Sequence, residues 1–164
     1  MSTASRQKIG EQVAQLYLKA TGREGITSII QSCYAANARF QDPFFDVTGR
    51  EKVHTQFVSM WEAFDDYTLK SYSVDECEDP KRFDINGDAT YIIKGRTFNI
   101  DQQTQITLDD EGRVLFHHDV FKGTFLETID NTPALREVFT GWRKLAGLIG
   151  DPILKSQYVD KESS

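Results

Sequence analysis

Cysteine is scarce in this chain: 164 residues hold two, Cys33 and Cys77. They form no Cys-x-x-Cys pair, and two thiols in a chain this long build no disulfide framework, so both are read as buried or inert. Positive charge is gathered nowhere. The formal net charge is −6 and no Lys/Arg cluster occurs, so nucleic acid and anionic membrane surfaces are not expected partners. No run approaches the roughly 18 apolar residues of a membrane-spanning helix. The polar stretch Met1 to Lys8 has no apolar segment of a signal peptide, and a cytoplasmic location is expected. Three histidines among scattered acids give no metal-ligand spacing, and no metal site is expected. The phosphate-binding loop, the Gly-x-Gly-x-x-Gly turn and the Gly-x-Ser-x-Gly elbow are all missing, so no cofactor is expected either. Repeats, low-complexity tracts and Pro/Gly-rich linkers are missing too. One domain over 1–164 follows, with a core of about 5–122 and a C-terminal helical extension of about 131–150.

Aromatic residues, by contrast, are plentiful: eleven Phe, six Tyr and two Trp. They can fill a core or line a ligand pocket. Ile9, Val13, Leu16, Tyr17 and Ala20 recur at helical spacing and predict a helix over about 5–21, ended by Gly22. Ile26, Ile29, Ile30 and Cys33 mark one face of a second helix. Phe40 lies in an extended stretch that Asp42-Pro43 ends. Gly49 opens a third helix, with Val53, Phe57, Met60, Trp61 and Phe64 on one face. From Tyr67 the pattern turns extended. It predicts strands over Tyr67–Val74, Ala89–Phe98 after a turn at Asn86-Gly87-Asp88, Gln103–Leu108, and Val114–Phe121 after a hairpin at Asp109-Asp110-Glu111-Gly112. Helices followed by a run of strands predict an α+β fold with an antiparallel sheet. Thr132-Pro133 starts a final helix whose face of Leu135, Val138, Phe139, Trp142, Ala146 and Ile149 either closes the pocket or meets a partner chain.

The segment Tyr34-Ala-Ala-Asn-Ala-Arg-Phe-Gln-Asp42-Pro43-Phe44, followed by Gly49-Arg50-Glu51, resembles the ketosteroid isomerases and the SnoaL-like polyketide cyclases. Both are members of the nuclear transport factor 2-like superfamily. The Asp109 hairpin and His117-His118-Asp119 resemble the last hairpin and strand of SnoaL-like proteins. The resemblance covers about residues 5–122. It implies a curved antiparallel sheet closed by N-terminal helices into a cone-shaped pocket, the nuclear transport factor 2-like or cystatin-like roll. It also implies a homodimer.

Asp42 matches the position of the isomerase general base. A carboxylate among apolar side chains holds its proton more tightly and can act near neutral pH. As a residue before proline, Asp42 equally suits a turn cap. Tyr17 lies near where the isomerases place an oxyanion-stabilising tyrosine, and its spacing equally suits the core. The isomerases' second donor, a protonated carboxylic acid, falls on Thr104, which donates a weaker hydrogen bond, so steroid isomerisation itself is not expected. His117 and Asp119 stand two apart on a strand and share a face with Leu115 and Phe121. They form an acid/base pair or a structural one. His118 faces the other way, and His54 is read as solvated. Limonene epoxide hydrolases, in the same superfamily, imply an Arg and Asp pair that the strand Thr90–Lys94 lacks.

The expected activity is that of a cofactor-free isomerase or cyclase on a small apolar carbonyl compound. Asp42, Tyr17, His117 and Asp119 are its catalytic candidates. Phe40, Phe57, Trp61, Thr104, Leu115 and Phe121 are the candidate substrate contacts. The competing expectation is a non-catalytic ligand-binding or interaction module using the same pocket.

Overall fold

Ser2 starts the first helix by accepting the Ser5 N–H on its side chain. The computed structural model describes residues 2–123, with positions 133, 136 and 137. The face expected of a C-terminal helix over 131–150 lies outside the described residues. Helix α1 covers Thr3–Ala14 and buries Gly10, Val13 and Ala14. It is shorter than the 5–21 its apolar spacing predicts. After Ala14 the chain tightens into a 3-10 turn, Gln15–Tyr17; Leu18 then extends at φ −118° and ψ 116°. The Thr21 hydroxyl donates to the Gln15 carbonyl at 2.6 Å, taking an acceptor that a continuing helix would use. Tyr17 therefore sits on a turn, not on a helix face.

Helix α2, Gly22–Cys33, buries Ile26, Ile29, Ile30 and Cys33, the face its spacing predicts. Helix α3, Arg50–Ala63, is entered through Gly49 at φ 110°, backbone that favours glycine. Its far end is held by Lys19. That ammonium donates to the carbonyls of Trp61 and of Phe64, the latter at 2.6 Å, and lies 5.3 Å from the centre of the Trp61 ring. A cation on the last carbonyls satisfies acceptors the helix leaves open and complements its dipole.

The described residues form six strands, β1 Tyr34–Gln41, β2 Asp46–Thr48, β3 Asp66–Glu76, β4 Arg82–Ile93, β5 Arg96–Leu108 and β6 Val114–Lys122. They form one curved, open sheet in the order β2-β1-β6-β5-β4-β3. The fold is α+β, as predicted. The sheet, however, is mixed: β1 runs parallel to β6, while every other pairing is antiparallel. A parallel pair needs a long crossover between its strands, and here α3 and the meander β3–β5 supply it. Phe57 of α3 packs 5.2 Å from the Phe40 ring of β1 and 5.7 Å from the His117 ring of β6, so α3 lies across the inner face of the sheet.

Two irregularities set the curvature and the register. Between Lys70 and Ser73, β3 carries two residues, Ser71 and Tyr72, against the single Gly87 of β4, with Ser71 at φ 49°. This is a β-bulge, which bends and twists a sheet. A Cβ on Gly87 would stand 2.8 Å from the Tyr72 Cβ and 3.1 Å from its Cα. The predicted turn at Asn86-Gly87-Asp88 is therefore the interior of β4, where the glycine answers a close approach. The turn lies instead at Lys94-Gly95, both with positive φ, in the two-residue form that matches strand twist. On β6, Val114 pairs with Leu108 and Phe116 with Thr107, leaving Leu115 as an extra residue. That bulge reverses the alternation. Val114, His117 and Asp119 are buried, whereas Leu115 is half-buried and out of phase with them, contrary to the face the sequence predicts.

Gly87→Ala is expected to lower unfolding stability by about 1–3 kcal/mol through overpacking against β3. Lys94→Asn should raise it by a few tenths of a kcal/mol, because asparagine tolerates the left-handed backbone there. Urea melts of the two variants check both signs.

Candidate functional site

Gln41 ends β1, and Asp42-Pro43-Phe44-Phe45 carries the chain over into β2. Asp42 closes this turn. Its N–H donates to the Phe45 carbonyl at 2.9 Å, and its Oδ1 accepts the N–H groups of Phe44 and Phe45 at 2.7 and 2.6 Å. Such an Asx turn is a reason to find aspartate there with no chemistry at all. Yet Asp42 is only 3% exposed, and its side chain also forms part of the wall of a recess between α3 and the sheet.

Tyr17, Phe40, Asp42, Phe57, Asp119 and Phe121, all singled out in the sequence, line this recess together. Phe44, Phe64, Tyr91 and Gln56 line it as well. Its enclosed free volume is only about 20 Å³, room for one ordered water. With the mouth open to solvent it reaches about 390 Å³. The other candidates stand elsewhere. Trp61 is half-buried beneath Lys19 and does not line the recess. Leu115 is turned out of phase by its bulge. Thr104 lies behind the wall, directly opposite Asp119 across the β5–β6 pair. His117 is wholly buried behind Phe40 and Phe57, 5.0 and 5.7 Å between rings. His54 is half-buried and bonds Thr27 at 2.8 Å, so it is less solvated than its position predicts.

A chain of buried polar side chains runs behind the recess and converges on Asp119. The Thr104 hydroxyl donates to Asp119 Oδ1 at 2.6 Å, and the Tyr17 hydroxyl donates to Asp119 Oδ2. Tyr17 has one proton and Asp119 receives it. His117 Nε2, 2.7 Å from the Tyr17 oxygen and 3.1 Å from Asp119 Oδ1, must then be the donor to both. On its other side, His117 Nδ1 lies 2.7 Å from the Tyr34 hydroxyl, which donates to it when Nε2 carries the ring's one proton. From the other side, Tyr91 donates to Gln102 Oε1 at 2.6 Å, and Gln102 donates to the Thr104 hydroxyl at 3.3 Å. Every proton along this line points toward Asp119, which is an acceptor on both oxygens. Burial, joined by the charge of Asp119, pushes the Tyr17, Tyr34 and Tyr91 hydroxyls well above the usual phenol range; Asp42 adds to the effect on Tyr91. All three therefore remain proton carriers at neutral pH.

The arrangement can take a proton at a recess carboxylate and can return one from Tyr17. Sequence reasoning missed Tyr34, Gln56, Tyr91 and Gln102. Gln56 carried a signal, since it falls in helical phase with Val53 and Met60 on an otherwise apolar face. Gln102 alternates with Thr104 on one face of β5 and was equally legible.

No family model matches the chain, and no curated protein matches it in sequence. Solved structures match in shape. A candidate isomerase of the SnoaL-like family from Agrobacterium tumefaciens is 14% identical with a TM-score of 0.61, over 74% of this chain and 100% of that one. A protein with a ketosteroid isomerase-like fold from Catenulispora acidiphila, solved in complex with trimethylamine, is 15% identical with a TM-score of 0.62, over 77% and 95%. A candidate polyketide cyclase from Xanthomonas campestris is 12% identical with a TM-score of 0.55, over 71% and 93%. The chain has the nuclear transport factor 2-like fold.

Asp119→Leu leaves Tyr17, Thr104 and His117 donors buried without their acceptor, and is expected to destabilise by about 3–5 kcal/mol. Asp42→Asn keeps an Oδ1 acceptor for Phe44 and Phe45, so its melting point should move by only a few degrees. Thermal unfolding followed by circular dichroism compares the two.

Proposed function

We propose that the protein is a cofactor-free acid/base enzyme, an isomerase or cyclase, acting on a small apolar carbonyl compound in this recess. The observation that carries the proposal is the convergence of Tyr17, Asp42 and Asp119, from three distant parts of the chain, on one aromatic-walled space. Asp42 removes a proton α to the carbonyl, and the freed electron pair passes to the oxygen as an enolate. Tyr17, kept protonated by burial and by Asp119, turns its one proton from Asp119 to that oxygen, while the Thr104 hydroxyl and the His117 ring continue to donate to Asp119. Return of the proton from Asp42 to another carbon completes an isomerisation; attack of the enolate on a second carbonyl, whose oxygen takes that proton, completes a cyclisation. The cyclase and isomerase names attached to structures of the same shape support the class, and the amine-bound one makes a small amine a further ligand worth trying.

A non-catalytic binding module of the same fold is the second reading. It is favoured by Asp42 Oδ1 being taken up by two backbone N–H groups. Exchange of α-protons for deuterium in apolar cyclic ketones, followed by NMR in deuterated water, separates the two. The enzyme should catalyse exchange, and Asp42→Asn should slow it by at least about 10²-fold, the scale of a lost general base. Exchange that survives in Asp42→Asn but vanishes in Asp119→Asn moves the base to Asp119. Ketones that stabilise the fold against heat without any exchange leave the binding module standing.

A further inference from the structure

The lining of the recess is unbalanced in a way that the acid/base scheme does not use. Among the described residues its charged groups are both carboxylates, Asp42 and Asp119, and no described lysine, arginine or histidine lines it. Seven of its side chains are aromatic. Its hydroxyl protons are already committed: Tyr17 to Asp119, Tyr91 to Gln102. One group is left over. Gln56, in the middle of α3, is 2% exposed and lines the recess, and its Oε1 has no hydrogen-bond partner among the described residues. A buried acceptor without a donor costs about 1–3 kcal/mol, and native interiors carry few of them unless a ligand or water completes them.

These features describe a cavity rich in acceptors, negative charge and aromatic faces, whose one uncommitted side-chain donor among the described lining residues is the Gln56 amide itself. An anion entering it meets two carboxylates at close range. A neutral hydrocarbon fills it but leaves Gln56 unpaired. A protonated tertiary amine meets all three demands. Its charge faces the carboxylates, its alkyl groups and positive shell lie against aromatic faces, and its single N–H reaches the unpartnered Gln56 Oε1. The enclosed part holds only a water-sized group, so the alkyl groups must occupy the open mouth of the recess, where short ones fit better than long ones.

We infer that the recess is a site for a small alkylammonium group, with Gln56 Oε1 accepting its N–H and so determining specificity. The inference rests on the recess being a small-molecule site, and it concerns the group that occupies the recess rather than the proton-transfer step.

Three probes of nearly equal size separate charge from hydrogen bonding. Trimethylammonium carries both a charge and a donor, tert-butanol a donor alone, and tetramethylammonium a charge alone. Titration of the whole protein at neutral pH, followed by calorimetry and by NMR shifts, should give trimethylammonium the tightest binding. In Gln56→Leu its advantage over tetramethylammonium, expected at about tenfold from a charge-assisted hydrogen bond, should disappear. Without ligand, Gln56→Leu should melt at or above the parent temperature, since it removes an unpaired polar atom, so a loss of binding is not a loss of fold. Tighter binding of tert-butanol than of either cation would overturn the amine inference and leave the recess a small-molecule site. Binding of none of the three would overturn the inference, and catalysed exchange in the ketones would then show the recess still at work. An unchanged preference for trimethylammonium in Gln56→Leu would remove Gln56 from the recognition.

Discussion

Asp119 is a carboxylate at 2% exposure, and much of the inner architecture follows from keeping it solvated by protein. Moving an ion out of water costs several kcal/mol even after relaxation. Against that stand the Thr104 hydroxyl, the Tyr17 hydroxyl and the His117 ring, each a hydrogen bond to a charged group worth about 1.5–3 kcal/mol. The two sums are of one size, so the cluster does little for net stability. What it fixes is geometry. Each donor is held in turn by another: His117 by Tyr34, Thr104 by Gln102, Gln102 by Tyr91. Pieces of α1's trailing turn, β1, β4, β5 and β6 are thereby locked to a common point. Polar networks of this kind specify one arrangement among many, provided each member is satisfied.

The sheet serves the same end. The bulge opposite Gly87 bends β3 and β4, and the bulge at Leu115 resets β6 so that Val114 and His117 are both buried. Without the second bulge, a strand with Val114 inward would turn His117 and Asp119 outward, since a one-residue slip moves every side chain to the other face. Lys19 fixes the opposite wall by holding the end of α3 beside the turn that carries Tyr17.

The sequence showed the helix faces, the Asp109 hairpin and the face shared by His117, Asp119 and Phe121, because periodicity reports burial directly. Asp42, Tyr17 and Asp119 were legible as a set only through the resemblance to isomerases and cyclases. Periodicity alone could not bring residues about a hundred positions apart to one place. Three features were not legible for local reasons. Asn86-Gly87-Asp88 has the composition of a turn, and only the neighbouring strand reveals that the glycine makes room for Tyr72. Leu115 alternates correctly with His117 on paper, since a bulge leaves no mark in the pattern. The parallel pairing of β1 with β6 is decided by which edges remain after the meander forms, which no short window contains.

That parallel pairing has a consequence in time. Tyr17 meets Asp119 across 102 residues of chain and His117 across 100, and Tyr34 meets His117 across 83. Contacts so distant in sequence carry a large loop-closure entropy and slow the folding of proteins that depend on them. The hairpins β3–β4 and β4–β5 are local and can form early, while β6 must arrive before β1 has a partner on that side. Pulse-labelled hydrogen exchange would see protection in β4 and β5 before β1. During synthesis Asp119 emerges after every described aromatic residue of the recess except Phe121, so the nascent chain carries most of its aromatic wall before the carboxylate that anchors the interior.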